Sequence, residues 1–517
     1  MKKSLVAVSV IVVLGAAWTG VSWYTGKMIE QHMAEVATNA NSQIQSSFPK
    51  AGVNVSYQDY HRGLFSSQVR IILKPDAAAA AAGTSALKTG DEISFIETID
   101  HGPFPAAQLK KFNLIPSMAS VHSELENTAT LKPLFDVTKG KSLVTADTRV
   151  SYNGDSSSAI NFIPVDYDKN NSKLQFGGAD INVAVDKELT KMKLDAKSDS
   201  IAITSQNQFG QQEKVTLNGL SLDSDTNQGA SKVGIGDQNL TIKQVAVNVD
   251  GKDAASLDNF KLVSKFSEEG SNIKGQQDYT IDALKIQNSD FGSGKLTVKI
   301  DKLDAAALKA FSDSYNQQSQ QLLSQAGDID PAVYQQQATE LLAANLPLLL
   351  KGNPSISIDP LSWKNSKGES TFTLQLDLKD PAAGSQAQSE DQLISQLVSK
   401  LDAKLNIPLA MATELTTQTA KIEGYTGDDA EKLAKQQVQG LAAMGQMFKI
   451  TTLKDDAISS SFHYADNQVD LNGQKMTLQE FAGLFGIFGG NAVQPQTQAP
   501  AASPLAPPVA PVAPNTP

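Results

Sequence analysis

Residues that could catalyse a reaction or hold a metal ion are few in this sequence. The five histidines are His32, His61, His101, His122 and His463. No two of them have the i, i+4 spacing of a helical zinc site. Cysteine is absent, which excludes disulfides, thiolate metal sites and cysteine nucleophiles. We therefore predict no catalytic residue, no metal site and no cofactor.

Two patterns that resemble chemical motifs have simpler interpretations. Asp290-Phe291-Gly292 spells a kinase triplet, but the glycine-rich and catalytic loops that accompany it in kinases are missing. We interpret it as a turn before a strand near Leu296. The carboxylate pair Asp428/Asp429 is placed at a helix start, where acidic residues suit the helix dipole.

Two short stretches are harder to replace by other residues. One contains Gly63-Leu64-Phe65, and the other reads Asp100-His101-Gly102-Pro103-Phe104-Pro105. The prolines fix the backbone, so the structural interpretation of the second stretch is a rigid stop after a strand. The functional alternative is a partner contact or the lip of a ligand groove, with His101 exposed nearby.

The first 26 residues predict a membrane anchor. The segment from Leu5 through Val13 to Tyr24 is uncharged and has the roughly 20 residues that a bilayer core requires. Trp18, Trp23 and Tyr24 crowd its far end, where aromatic rings favour the headgroup region.

Lysines at positions 2 and 3 place the N-terminus in the cytoplasm, with a small bias because Lys27 follows the segment. This predicts a single-pass protein of the bacterial inner membrane with its bulk in the periplasm. A signal peptide cleaved near Gly15-Ala16-Ala17 is the alternative.

Composition sets further limits on the class of protein. The 517 residues allow two to four domains, and 40% hydrophobic residues are enough for real cores. The net charge of -11 argues against nucleic acid as a partner, because that binding requires basic surface.

Hydrophobic periodicity divides the rest of the chain. Residues 27–48 predict an amphipathic helix that connects the anchor to a β-rich region at 49–303. Alternation within the β-rich region is clearest at 181–185, 245–249 and 296–300. The low-complexity run Ala77 to Gly83 is interpreted as a loose loop inside it.

Three segments in the β-rich region share one order of residue types: hydroxyl, aliphatic, Asn or Asp, any residue, apolar, polar, aliphatic. They are 216–222, 256–262 and 280–286. Their gaps differ, so a regular solenoid is not supported. A meander that re-uses one strand type is supported.

Beyond residue 303 the pattern is mixed. A region at 304–490 combines helices with strands: Asp304 caps one helix, Pro331 begins another, and 428–448 carries a helical stripe. The tail at 491–517 is rich in proline and alanine and predicts disorder. The fold class is therefore α+β: an N-terminal transmembrane helix, an extended and mainly antiparallel sheet with helical insertions, and a disordered tail.

The motifs at 63–65 and 100–105, together with 174–178 and 469–476, resemble the YdgA-type family of proteobacterial inner-membrane proteins. The resemblance runs from the anchor to about residue 488. It implies a single N-terminal anchor and a periplasmic domain, and it supplies no catalytic residues.

The functional hypothesis is a non-catalytic envelope protein whose sheet binds lipid or another apolar component. The first alternative is an interaction scaffold that forms a homo-oligomer, and the remote alternative is a cell-envelope hydrolase. The hydrolase is disfavoured because no nucleophile, base and oxyanion arrangement can be assembled from these motifs.

Overall fold

A computed structural model of the chain describes residues 2–47, 51–83, 85–169, 171–287, 289–325, 330–381 and 390–485. The predicted tail at 491–517 lies outside these ranges. In the first helix, side chains are described for residues 17–45. The side chains of Leu5 and Val13 in the predicted anchor therefore lie outside the described part.

Twenty-two strands are present in the described residues. They are β1 (Val53–Arg62), β2 (Ser66–Pro75), β3 (Ile93–His101), β4 (Ala119–Leu125), β5 (Val144–Val150), β6 (Ser156–Phe162), β7 (Val165–Lys169), β8 (Ser172–Phe176), β9 (Ala179–Val185), β10 (Lys191–Gln206), β11 (Gln212–Gln228), β12 (Gly234–Val249), β13 (Lys252–Glu269), β14 (Asn272–Ile286), β15 (Ser289–Asp304), β16 (Ser355–Asn365), β17 (Gly368–Leu378), β18 (Val398–Pro408), β19 (Thr452–Lys454), β20 (Ala457–Ala465), β21 (Gln468–Leu471) and β22 (Gln474–Thr477).

The same residues form ten α-helices and one short 3₁₀ helix at Leu346–Leu350. The α-helices are α1 (Lys2–Ser47), α2 (Ala77–Ala81), α3 (Ala106–Lys110), α4 (Lys132–Val137), α5 (Ala305–Gln325), α6 (Pro331–Asn345), α7 (Glu390–Leu397), α8 (Leu409–Ile422), α9 (Gly427–Met447) and α10 (Leu478–Phe485).

The strands join into one continuous antiparallel sheet. The spatial order follows the chain from β1 to β6, continues from β9 to β18, and ends with β20, β21 and β22. The β7–β8 hairpin pairs with the second half of β10, and β19 pairs with β20. The prediction of a mainly antiparallel sheet with helical insertions is confirmed.

Apolar side chains form a row that crosses twelve neighbouring strands, from β5 to β18. Each residue is the direct cross-strand partner of the next, and its members are Ala146, Ile160, Ile181, Ala196, Leu222, Leu240, Leu262, Tyr279, Leu296, Leu361, Phe372 and Leu405. We call the side of the sheet that carries this row the apolar face. At a strand spacing of about 4.8 Å, the row is about 50 Å long.

A local kink explains the sequence pattern that recurs at 216–222 and 256–262. In β11 the apolar spacing changes from two to three between Leu217 and Leu220, and Gly219 between them has φ +61°. Asn259 has φ 51° at the equivalent place in β13. The cross-strand register continues unchanged past both residues, so the neighbouring strands follow the same kink.

Two short segments differ from the sequence interpretation. The run Ala77 to Gly83, expected to be a loose loop, contains α2, because the Asp76 carboxylate accepts hydrogen bonds from the amides of Ala78 and Ala79. Asp290-Phe291-Gly292 is not a turn before a strand but lies inside β15, where the Asp290 carboxylate accepts from the Gly292 amide at 2.8 Å.

The helices beyond residue 303 match the predicted starts. The Asp304 carboxylate caps α5 by accepting from the Ala307 amide at 2.7 Å, α6 begins at Pro331, and Asp428 and Asp429 occupy the first turn of α9. Helix α8 was not predicted. It lies against β15 to β18 and buries Met411, Thr417 and Ala420.

Candidate functional site

Helix α1 packs along the first strands of the sheet. Met33 is buried with Val69 of β2, Ile99 of β3 and Ala119 of β4. The Asn41 side chain exchanges two hydrogen bonds with the Val55 backbone, donating at 2.8 Å and accepting at 2.6 Å. Because β1 is an edge strand, this contact satisfies backbone groups that would otherwise be open.

Both predicted motifs meet α1 near Trp18. The Trp18 and Phe65 rings lie 5.2 Å apart, and the Ser22 hydroxyl donates to the Gly102 carbonyl at 2.7 Å. Gly26 lies so close to the ring of His101 that a β-carbon at this position would overlap Cε1. The two stretches therefore form one docking site for the helix, which we call the helix junction.

His101 is buried at the centre of the helix junction, with 1% of its surface exposed. The prediction that His101 is exposed is wrong, because α1 covers the end of β3. The Ser67 hydroxyl lies 2.8 Å from Nε2, and the Leu64 carbonyl lies 3.3 Å from Nδ1. A carbonyl can only accept, so the proton is assigned to Nδ1, and Nε2 accepts from Ser67.

This arrangement favours a structural role over a catalytic one. Tyr60 donates to Ser67 at 3.2 Å, so the hydroxyl is held between two partners. Ser67 is 2% exposed, and the other ring nitrogen of His101 faces a carbonyl where a catalytic triad would place a carboxylate. Burial lowers the pKa of His101 below the ordinary value of 6.5, which keeps the ring neutral at pH 7.

The buried imidazole predicts a helix junction that weakens as pH falls. The unfolded chain binds a proton near pH 6.5, but the folded protein resists it because the pKa of His101 is lowered by burial. Stability is therefore present above pH 6.5 and lost as pH drops below it, by at most about 1.4 kcal/mol per pH unit. Asp100 opposes this effect, and Arg62 reinforces it.

We expect the urea midpoint of the full chain to fall between pH 7 and pH 5 by more in the natural protein than in His101→Gln. Other ionisable groups titrate in both proteins, so the difference between the two pH slopes isolates His101. Equal slopes in the two proteins would contradict this account.

The remaining residues of the two motifs hold the surrounding backbone. The Asp100 carboxylate accepts from the Ala107 amide at 2.7 Å and fixes the start of α3. Pro105 is fully buried, Phe104 is half-buried next to it, and the Gly102–Pro103 peptide is cis. Gly63 forms the β1–β2 turn by donating to the Ser66 carbonyl at 2.8 Å.

Other contacts of the helix junction were not foreseen from the sequence. Arg62 pairs with Glu30 at 2.9 Å and lies 5.5 Å from the Trp23 ring centre, with Lys27 at 5.6 Å from the same centre. Ser22 and Gly26 were also missed. Their four-residue spacing is a small-xxx-small pattern, which signals close helix packing.

The predicted membrane span lies within helix α1. Among its described side chains, no stretch is both long and apolar enough to cross a bilayer. Tyr24 is 63% exposed and Trp23 is 45% exposed, whereas Ser22 and Thr25 are buried.

The apolar face is a second candidate site. Beyond Ala146, the same line of cross-strand partners passes through the polar residues Ser123 and Glu97. It then reaches Val69, which lies under α1. Helical cover returns further along, where α5 and the 3₁₀ helix pack near Ile300. At the far edge, Phe481 of α10 packs against Phe462, with ring centres 4.9 Å apart and the rings tilted by 57°.

Between these covered parts, the middle of the apolar face has little helical cover. Among the described residues, helices pack chiefly against β1, β3, β4, β7, β15–β19, β21 and β22. Leu222, Leu240 and Leu262 are half-buried, and none of them belongs to a buried cluster of the described chain. Helical cover of the apolar face is thus concentrated at the two ends of the row. Over β9 to β13 it is limited to the Ile235 and Phe266 ends of β12 and β13, which belong to the cluster around Ala305 of α5.

The chain belongs to a family of bacterial proteins of unknown function, DUF945, whose model matches residues 1–479. The suspected family resemblance is thereby confirmed. Protein YdgA of Escherichia coli (strain K12) is 45% identical over 491 residues, which cover 94% of this chain and 97% of that protein.

A more distant relative is the uncharacterized protein YihF of the same organism, 28% identical over 487 residues, 93% of this chain and 98% of its own. An uncharacterized protein of Haemophilus influenzae is 24% identical over 188 residues, 36% of this chain and 49% of its own. No solved structure matches the chain.

Proposed function

We propose that this protein is a non-catalytic, membrane-anchored protein of the bacterial envelope that binds the acyl chains of lipids along its apolar face. The observation that carries the proposal is the twelve-strand apolar row, which is half-buried in its middle and has little helical cover there. The family that it shares with its relatives is one of unknown function, so no activity is transferred from them.

The dimensions and chemistry of the row suit an acyl chain. A row of about 50 Å exceeds the roughly 30 Å core of a bilayer, so it could hold more than one chain end to end. Each buried methylene contributes about 0.8 kcal/mol, and no polar motif is needed. The opposite side of the same strands carries Asp195, Asp223 and Asn239, so a hydrocarbon ligand would select one face.

The location is proposed from the sequence. The apolar segment that begins at Leu5 would insert in the inner membrane up to the point near Trp18 where α1 meets the helix junction, and the lysines before it would keep the N-terminus cytoplasmic. In that arrangement the row begins near the strands that hold α1 and leads away from the membrane.

Two neighbouring residues of β12 allow a matched test. Leu240 lies in the apolar row, and Asn239 precedes it and points to the other face. We expect Leu240→Asp to lower the amount of lipid that co-purifies with the full chain by about tenfold, because about two methylene contacts are lost and a charge is introduced. Asn239→Asp introduces the same charge on the polar face and should leave the lipid content unchanged.

Lipid content would be measured by mass spectrometry of protein extracted under mild conditions. A photo-crosslinking side chain at each of the two positions gives a second readout, with lipid adducts expected at position 240 alone. A lipid-free natural protein, or equal lipid in both variants, would contradict the proposal.

The scaffold alternative remains a prediction. Helix α9 buries Ala430, Ala434, Val438 and Ala442 and exposes Leu441, Met444 and Met447, and the exposed Phe448 follows its last residue.

A further inference from the structure

The most exposed apolar side chains of the described residues include three in one loop. Phe112 is 92% exposed, Leu114 is 69% exposed and Ile115 is 62% exposed. They follow α3 in the connection between β3 and β4. Three large apolar groups this close together and this open to solvent indicate a contact surface rather than ordinary surface variation.

The loop is fixed beside the helix junction. Its two ends are joined where Gly102 donates to the Met118 carbonyl at 2.8 Å and Ser117 donates to the Pro103 carbonyl at 3.0 Å. Gly102 is also the residue that accepts the hydrogen bond from Ser22 of α1. The exposed loop therefore projects from the place where the N-terminal part of α1 leaves the sheet.

Other exposed apolar residues lie on turns at the same end of these strands. Leu64 and Phe65 of the β1–β2 turn are 44% and 39% exposed, and Phe65 contacts Trp18. Tyr152 of the β5–β6 turn is 50% exposed, and its hydroxyl lies close to Gly102. We call these turns and the Phe112 loop the proximal rim.

Basic groups flank the exposed loop. Lys110 and Lys111 immediately precede Phe112, Lys111 pairs with Asp147 at 2.8 Å, and Arg149 donates to the Pro116 carbonyl at 3.3 Å. Apolar and aromatic tips bordered by cations match the headgroup region of a bilayer that contains anionic lipid. The apolar sequence of α1 would begin its passage into the bilayer next to the same rim.

We propose that the proximal rim rests on the membrane surface, with Phe112, Leu114 and Ile115 inserted among the lipid headgroups. The proposal depends on the membrane location given under the proposed function and adds a second point of contact to the anchor. Two contacts would fix the orientation of the sheet relative to the membrane, which a single helix cannot do. The apolar row would then start at a defined distance from the bilayer.

The absence of cysteine allows one label at a time on the full chain. A polarity-sensitive fluorophore would be placed on Phe112→Cys, on Phe209→Cys and on Val13→Cys. Phe209 is the matched control: it is 76% exposed and lies in the β10–β11 turn, away from the helix junction. Each protein is reconstituted in vesicles of phosphatidylethanolamine and phosphatidylglycerol, with and without a quencher attached to the lipid chains.

We expect a blue shift and loss of most of the emission to the quencher at positions 13 and 112, and neither change at position 209. Quenching at 13 without quenching at 112 would overturn the rim contact and leave the anchor in place. No quenching at 13 or 112 would overturn both. Equal quenching at 112 and 209 would show that the fluorophore itself drives insertion, and a blue shift at 112 without quenching would indicate a second protein copy; either result overturns the proposal.

Discussion

Replacing Gly26 by alanine should detach helix α1 from the sheet. The new methyl would overlap Cε1 of His101 and lie 2.6 Å from Nδ1 of the same ring. The ring cannot simply swing away, because it is buried and hydrogen-bonded to Ser67 and Leu64. Overpacking of this kind costs about 1–3 kcal/mol, and each lost hydrogen bond adds about 1 kcal/mol.

Gly20 supplies the matched control in the same helix. A β-carbon at Gly20 meets nothing within 4 Å among the described residues. Gly20→Ala should therefore stabilise the folded protein by roughly 1 kcal/mol, because alanine favours the helix more than glycine does. In Gly26→Ala the same gain is outweighed by the clash with His101. We expect the free energies of unfolding of the two variants to differ by about 3 kcal/mol, with opposite signs relative to the natural protein.

Tryptophan fluorescence during urea unfolding in detergent would measure this difference. Two of the three tryptophans, Trp18 and Trp23, belong to the helix junction, so the signal reports largely on this region. Equal stabilisation by Gly20→Ala and Gly26→Ala would mean that α1 does not dock on His101.

The strands were largely predictable from alternation, but their lengths were not. The alternation at 245–249 and 296–300 lies within β12 and β15, each of which has 16 residues. The period-two alternation breaks at Gly219 and Asn259, which both have a left-handed backbone conformation. The alternation therefore marks only part of each long strand.

Helix α8 shows a different limit of sequence reasoning. Its sequence contains four threonines, which favour strands over helices, and it follows β18 directly. In the structure Thr413, Thr416 and Thr417 donate to the carbonyls four residues earlier, at 2.7–2.9 Å. Packing against β15 to β18 decides the conformation, and no local signal carries that information.

The sequence identified the residues at 63–65 and 100–105 as unusual, but it did not indicate that they meet α1 in the folded protein. No local sequence signal distinguishes a buried histidine at the end of a strand from an exposed one. His101 is buried by the part of α1 around Gly26, which lies 75 positions earlier in the chain. The apolar face was anticipated as one-sided strands. The decision between an open and a covered face required the positions of α1, α5 and α10 on the sheet.

Replacing Gly102 by alanine should have the larger effect of the two glycine substitutions. A β-carbon there would overlap the Ser117 carbonyl oxygen and lie 2.9 Å from that of Met118 and 2.6 Å from the Tyr152 hydroxyl. Two of these atoms belong to backbone that is itself paired, since the Met118 amide donates to the Val150 carbonyl at 2.8 Å. The connection between β3 and β4 would have to separate from β3.

We expect Gly102→Ala to lower the free energy of unfolding by more than about 3 kcal/mol, because overpacking against backbone adds to the lost hydrogen bonds. The acceptor for Ser22 is displaced in the same step, so α1 should become accessible to protease near residues 18–26. Gly234→Ala is the control, because a β-carbon at this strand glycine meets nothing within 4 Å of it in the described chain.

Urea unfolding and limited proteolysis of the full chain would separate two interpretations of the 100–105 motif. If the motif fixes the helix junction, Gly102→Ala exposes α1 while Gly234→Ala behaves like the natural protein. If Gly102→Ala leaves both the unfolding midpoint and the protease resistance of α1 unchanged, the motif does not hold the helix. Its residues would then serve the exposed Phe112 loop that they introduce, and the Val13 and Phe112 labels would still report on that loop independently.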